Sequence, residues 1–209
     1  MTRETFEPVK VGVVGLGRFG RLHALTLARL AEAELVGLVA RRQASLDAVA
    51  DELSGVPGWL DLDQAIDCCP AEAWVVASTT SAHVPQTTTL LEANRTVLLE
   101  KPIAESLAEA AQLEPVVNKD SSNLMLGHIL LFNSEFRQLM DEAQQRGPVR
   151  YMNCVRHRPT ATLEGYPGET PFHLTMTHDL YAVLALVNRC TRLGILDDRL
   201  AVGERLRAP

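Results

Sequence analysis

The chain has 209 residues, of which 46% are hydrophobic and 22% charged, and a formal net charge of -6. That length suits one large domain, or one domain with a partial second, and the negative balance argues against a nucleic-acid partner. No apolar run approaches the ~20 residues of a membrane span, and Met1 to Lys10 lacks the apolar core of a signal peptide, so a cytoplasmic location without a membrane partner is expected.

The first informative stretch is Pro8 to Arg21. Val9 to Val14 is a short apolar, β-branched run, long enough for a buried strand and too short for a helix. It runs into Gly15-Leu16-Gly17-Arg18-Phe19-Gly20, a G-x-G-x-x-G, and then into a helical pattern with Phe19, Leu22 and Leu30 among its apolar positions. Strand, glycine turn and helix in that order form the setting of a dinucleotide-binding fingerprint. Gly15 permits the tight turn, Gly17 lets the backbone approach a pyrophosphate, and Gly20 lets helix and strand pack closely, with the ligand's charge at the helix N-terminus. Arg18 and Phe19, the pair inside the motif, are counted with the glycines as cofactor-binding candidates.

A second strand is expected at Glu34 to Ala40, ending in Arg41-Arg42. This is where, roughly 20 residues past the fingerprint, a carboxylate normally holds the ribose 2′-hydroxyl. Two guanidiniums in its place suit a 2′-phosphate, because arginine grips phosphate through a bidentate fork. Arg41 and Arg42 therefore favour NADP, with NAD the alternative. A helix over Ser45 to Leu53 follows, then a short one over Asp61 to Ile66 capped by Asp61 with Gln64 as its capping-box partner. Ala73 to Ala77 reads as a buried strand, opening into the polar loop Ser78-Thr79-Thr80-Ser81-Ala82-His83. In an open parallel sheet ligands sit beyond the carboxyl ends of strands, so this loop should face the cofactor.

Val84 to Ala93 is expected to be helical, with Pro85 tolerated in its first turn and Asn94 as its stop. Thr96 to Leu99 is a strand ending in Glu100-Lys101-Pro102. Ser106 and Glu109 cap a further helix, which Pro115 should end or kink. With a strand at Asn123 to Leu126, alternation of strands and helices predicts a doubly wound parallel sheet from Val9 to Gly127. Beyond it, Ser134 to Arg146 is helical and stops at Gly147-Pro148. Val149 to Arg158 alternates like a strand, with Arg150, Met152, Cys154, Arg156 and Arg158 on one face. Pro159 to Thr170 reads as a loop, and a helix from about Pro171 to Val187 holds His173 and His178. The four cysteines, Cys68, Cys69, Cys154 and Cys190, lack zinc-site spacing. Reduced thiols and no metal are expected.

Four motifs recur together in one order: the fingerprint at Gly15 to Gly20, the S-T-T-S-A-H loop ending at His83, L-E-K-P at Leu99 to Pro102, and H-D-L at His178 to Leu180. That combination resembles the glucose–fructose oxidoreductase and inositol dehydrogenase family, often called Gfo/Idh/MocA, over about Lys10 to Asn188. The resemblance implies an α/β protein with an N-terminal Rossmann domain, residues 1–127, that binds NADP or NAD. It also implies a C-terminal α/β domain, here incomplete over residues 128–209, that covers the substrate and makes an oligomer interface. The activity it implies is hydride transfer between a nicotinamide and a small hydroxylated or carbonyl substrate, such as a sugar or polyol. By that similarity Lys101 sits beside the nicotinamide and the reacting hydroxyl, Glu100 supports it, and His178 moves the proton. Ser78, Thr79, Thr80, His83, Glu100, Lys101 and Pro102 then line the cofactor. Histidine alone has an unperturbed pKa near neutrality, and a lysine ammonium can stabilise developing alkoxide charge. For His83 an early-helix packing role stands level with a ligand role. His23, His128, His157 and His173 read as ordinary packing or surface residues.

The chain departs from the family in three places. Leu174 stands where an aspartate one turn before the histidine is usual, which removes a carboxylate that would orient His178. Thr79 stands where proline is usual. Family members also continue for well over a hundred residues past the His178 helix. The expectation is a shortened member, by natural truncation or by a frameshift that rewrote Cys190 to Pro209. Its lone strand must pair with another chain, pack on the first domain or stay poorly ordered, and self-association into a homo-oligomer is expected. A catalytically weak or inactive nucleotide-binding paralogue or sensor is the competing expectation.

Overall fold

The computed structural model describes residues 7–147, 149, 151–155, 157 and 176–192. The chain divides into two units, Met1–Gly127 and His128–Pro209.

The first unit is a six-stranded, wholly parallel sheet. Its strands are β1 (Val9–Val14), β2 (Ala33–Val39), β3 (Gly58–Trp59), β4 (Ala73–Val76), β5 (Thr96–Leu99) and β6 (Leu124–Leu126), in the order β3-β2-β1-β4-β5-β6. The helices between them are α1 (Arg18–Leu27), α2 (Gln43–Asp47), α3 (Leu62–Cys68), α4 (Thr80–Glu92) and α5 (Leu107–Ala110). This is the doubly wound Rossmann arrangement, with its switch point between β1 and β4. Both sheet faces are covered, which is why the strands read as unbroken apolar runs. Side chains alternate between the faces along each strand. Val14, Trp74, Val76, Val97 and Leu99 pack with Ala65, Val84, Leu90 and Leu91 on one side. Val11, Val13, Leu38 and Val75 pack with Ala24, Val49 and Leu53 on the other.

Local chemistry sets the helix ends. Asp61 Oδ1 accepts from Gln64 N–H at 2.8 Å and opens α3, and Ser106 Oγ accepts from Glu109 N–H at 3.2 Å and opens α5. Asn94 adopts φ 56° just past α4, the left-handed conformation that asparagine tolerates better than most residues.

The structure departs from the sequence reading in four places here. Gly58–Trp59 forms a strand that two residues without an apolar run could not announce. The helix expected over Ser45 to Leu53 is confined to Gln43–Asp47, with turns beyond it, although Val49 and Leu53 are still buried. Helix α4 begins at Thr80, not Val84, so four of the six residues of the expected loop are helical; Thr79 caps it without a side-chain hydrogen bond. Helix α5 gives way to a 3₁₀ turn at Ala111–Leu113 before Pro115 is reached.

In the second unit, α6 (Ser134–Arg146) is opened by Asn133, whose Oδ1 accepts from Glu135 N–H at 2.8 Å and Phe136 N–H at 3.4 Å. It is closed by Gly147 at φ 103°. Helix α7 (Thr177–Arg192) packs on it through Met140, Ala143 and Leu186, with Phe136, Val149 and Met152 at the margin. The His128 and Tyr181 rings lie against one another, and burial pushes the Tyr181 hydroxyl pKa up.

The strand expected over Val149 to Arg158 is not formed by the described residues of that stretch, where Tyr151 and Val155 are exposed. Alternation makes a strand only where the backbone finds a partner, and among the described residues none pairs with it. Among the described residues this unit holds helices and no strand, where an α/β domain is expected. Cys68 and Cys154 are exposed free thiols and Cys69 is a buried one. His173, Leu174 and the whole of the loop expected over Pro159 to Thr170 lie outside the described residues.

Candidate cofactor and active site

The pairing register brings the candidates of the first unit to one sheet edge. Val14 stands opposite Val39 on one side and Val76 on the other, and Val76 stands opposite Leu99. Four strands thus end in line. The segments that follow them carry Arg41-Arg42, Gly15 to Gly20, Ser78 and Glu100-Lys101-Pro102. This is the carboxyl edge of the sheet, where open α/β folds bind ligands.

The three fingerprint glycines are there for three different reasons. Gly15 has φ +88°, and a Cβ on it would lie 2.6 Å from the Ser78 backbone. A Cβ on Gly20 would lie 1.7 Å from the Gly15 carbonyl oxygen. Both positions exclude a side chain. Gly17 differs, since a Cβ there would meet nothing within 4 Å. It is the N-cap residue of α1, and no side chain of its own caps the helix. The helix therefore presents uncapped N–H groups and its positive dipole end at an open, unshielded place. The chemistry of that donor set fits a pyrophosphate. Arg18 lies alongside, with its guanidinium carbon 6.0 Å from the centre of the Phe19 ring, and both residues are exposed. Arg41 and Arg42 are exposed beyond the end of β2, with Arg42 the residue before α2.

The Glu100-Lys101-Pro102 turn is held by side chains. Glu100 Oε1 accepts from His23 Nε2 at 2.7 Å, and its Oε2 accepts the Lys101 backbone N–H at 3.2 Å. Burial pushes the Glu100 pKa up, but the hydrogen bond and charge of His23, together with the N–H and charge of Lys101, outweigh it. The carboxyl is held below its ordinary 4.5. Gly127 closes the other side, where a Cβ would stand 3.2 Å from the Glu100 carboxyl. Lys101 is half-buried.

His83 is 2% exposed. Its Nδ1–H donates to the Pro102 carbonyl at 2.7 Å, and its Nε2 lies 3.2 Å from the Ser78 carbonyl. The ring, held between these two backbone carbonyls, ties the β4 turn to the β5 turn. The Ser78 hydroxyl donates to Gln86 Oε1 at 2.6 Å, while Thr79 is exposed and Thr80 half-buried. His178 lies in the first turn of α7, in the second unit, and is half-buried. His23, Gln86 and Gly127 are the neighbours that the sequence reading missed. His23 carried a signal, three residues past Gly20 on the fingerprint helix, but its partner is 77 residues away.

Residues 9–128 match the family described as "Oxidoreductase family, NAD-binding Rossmann fold", GFO_IDH_MocA. This chain belongs to that family. Among similar proteins, inositol 2-dehydrogenase 1 of Saccharopolyspora erythraea is 30% identical over 186 residues, covering 86% of this chain and 55% of its own. Inositol 2-dehydrogenase of Leifsonia xyli is 28% identical over 159 residues, covering 75% of this chain and 47% of its own. Among solved structures, scyllo-inositol dehydrogenase of Lactobacillus casei with bound NAD(H) and scyllo-inositol superposes with a TM-score of 0.62 at 27% identity. That match covers 66% of this chain and 42% of the other. The chain spans about half the length of the curated relatives it matches. No helix among the described residues is long and apolar enough to cross a membrane, and no group of three or more metal-ligating side chains occurs among them.

Proposed function

We propose that this chain is an NAD(P)-dependent oxidoreductase that transfers hydride between a nicotinamide and the CH–OH carbon of a sugar- or polyol-class substrate. The observation that carries the reading is the alignment of the open Gly17 helix end with the Glu100-Lys101 turn along one sheet edge. Dehydrogenase relatives that act on inositols support the substrate class. In this reading residues 1–127 hold the nucleotide and residues 128–209 contribute to the substrate side.

Gly15, Gly17 and Gly20 shape the pyrophosphate cradle, Arg18 and Phe19 flank it, and Ser78, Thr79 and Thr80 border the nicotinamide ribose. The nicotinamide, when bound, supplies the hydride acceptor. Lys101 holds the substrate hydroxyl and stabilises the negative charge that grows on its oxygen. His178 takes the hydroxyl proton at a ring nitrogen, leaving a carbonyl product. Arg41 and Arg42, with no carboxylate at the end of β2, favour NADP over NAD; the NAD(H) in the Lactobacillus casei relative is the counter-indication. Leu174 favours a second reading, nucleotide binding with weak or no turnover, because a carboxylate there would orient His178.

Separate titrations with NADPH and NADH, followed by nucleotide fluorescence, test the binding half. We expect tighter NADPH binding, and a clear NADH preference overturns the assignment to Arg41 and Arg42. Turnover on an inositol and polyol panel, abolished by Lys101→Ala, tests the chemical half. Tight nucleotide binding without turnover on any member selects the second reading.

A further inference from the structure

The proposed mechanism gives Lys101 a task but leaves open what fixes it in place. His23 sits in the second turn of α1, the helix whose N-terminus carries the glycine cradle. Helix α1 packs on β1, β2 and β4, whereas the lysine turn follows β5, one strand farther along the sheet. The hydrogen bond from His23 Nε2 to Glu100 Oε1, 2.7 Å, crosses that gap. It is sheltered, with the two side chains 27% and 16% exposed, so it is stronger than a pair of surface charges. The remaining carboxylate oxygen accepts the Lys101 backbone N–H, and Gly127 leaves the carboxyl no room to retreat. The charged groups that bear on Glu100 are His23 and Lys101.

We infer that His23 is a positioning residue for Lys101: by holding the Glu100 carboxylate it ties the nucleotide-binding helix to the lysine turn. The inference rests on the function proposed above for that turn. Nucleotide bound at the Gly17 end would then be sensed at Lys101 through one side-chain link, and the link needs a donor at the position of Nε2, not merely a polar residue.

The test uses the full chain and needs no turnover. The rate at which an amine-reactive acylating reagent modifies the Lys101 amine is measured against pH by peptide mass spectrometry, with no nucleotide, with NADPH and with NADH. His23→Ala and Glu100→Gln should each change that rate by about threefold to tenfold, the range a partly sheltered charge-assisted hydrogen bond supplies. The double variant should add nothing to either single one, because both break one link. Glutamine places its amide N–H near the position of Nε2 and asparagine does not, so His23→Gln should keep the wild-type rate and His23→Asn should lose it. If His23→Ala does not fold, the glutamine and asparagine pair decides. Glu52→Gln breaks the pair Arg21 makes from the same helix and should leave the Lys101 rate unchanged.

A wild-type rate in His23→Ala, additive single variants, or an equal change in Glu52→Gln overturns the inference. The two readings fail separately. Nucleotide binding with no His23 effect on labelling removes the link and leaves the oxidoreductase. A non-additive cycle in a protein that binds neither NADPH nor NADH removes the oxidoreductase and leaves the link.

Discussion

The turn after β1 and the turn after β5 lie on the same edge of the same sheet but are built by opposite means. The first is made of backbone: Gly15 and Gly20 are pressed so close to main chain that neither has room for a Cβ, and Gly17 opens outward. The second is made of side chains recruited from distant segments, His23 from α1 and His83 from α4, that grip Glu100 and the Pro102 carbonyl. A turn built from backbone tolerates no added atom at its closed positions. A turn built from side chains can lose one partner and still fold, with its chemistry changed. Substitutions at the two turns should therefore fail in different ways.

The largest effect is expected at Gly20→Ala. Inside a helix, alanine is ordinarily preferred over glycine by about 1 kcal/mol. Here its Cβ would stand 1.7 Å from the Gly15 carbonyl oxygen, a contact between two backbones that no side-chain rotation relieves. Overpacking of that kind costs about 3 kcal/mol, so the steric term wins. Urea denaturation should show a net loss of about 2 kcal/mol or more, with nucleotide binding lost alongside. A Gly20→Ala variant more stable than wild type would mean that helix propensity governs this position, and the contrast between the turns would collapse.

The side-chain turn should answer to pH. Burial raises the Glu100 pKa, but His23 and Lys101 bring it below the ordinary 4.5. A carboxyl whose folded pKa lies below its unfolded one binds fewer protons when folded. It therefore adds stability above the unfolded value, and that contribution disappears as pH falls through the folded value. Urea midpoints of wild type and Glu100→Gln, followed from neutral into acid, should be farthest apart near neutrality and converge as pH falls through the lowered folded value of the carboxyl. Parallel curves across the whole range would mean that Glu100 is not held ionised by its neighbours.

The same contrast explains what could be read in advance. Backbone-built features leave marks at short range: the spacing of Gly15, Gly17 and Gly20, the caps at Asp61 and Ser106, and the stop at Asn94 all appear where the residue types place them. Short apolar runs between helical stretches marked the sheet from β1 to β6, apart from Gly58–Trp59, which owes its place to the edge of β2 and not to its own composition. Features that depend on a distant partner left no mark. Nothing near His23 names Glu100, and nothing near His83 names Pro102. Conversely, Val149 to Arg158 has the alternation of a strand, but its described residues pair with no strand. The polar run Thr80 to His83 looks like loop, yet it is drawn into α4 because Val84 and His83 are buried under the sheet edge.

The smallest change in stability, and the most direct test of the cradle, belongs to Gly17→Ala. Its backbone angles, φ -69° and ψ -170°, are open to any residue, and a Cβ there meets nothing within 4 Å. Alanine is a poorer N-cap than glycine, a cost of about 0.5–1 kcal/mol, so the variant should fold with a urea midpoint close to wild type. Nucleotide should suffer far more, because the added methyl occupies the space through which a pyrophosphate must approach the α1 N–H groups. Loss of about 1.4 kcal/mol of binding is already tenfold in affinity, and fluorescence titration with NADPH should show at least that. Gly20→Ala and Gly17→Ala thus separate two roles within one six-residue motif, one holding the turn closed and the other keeping it open to a ligand. If Gly17→Ala bound NADPH as tightly as wild type, the open space at the start of α1 would not be where the pyrophosphate sits. The nucleotide would then have to be placed by the side-chain turn after β5 instead.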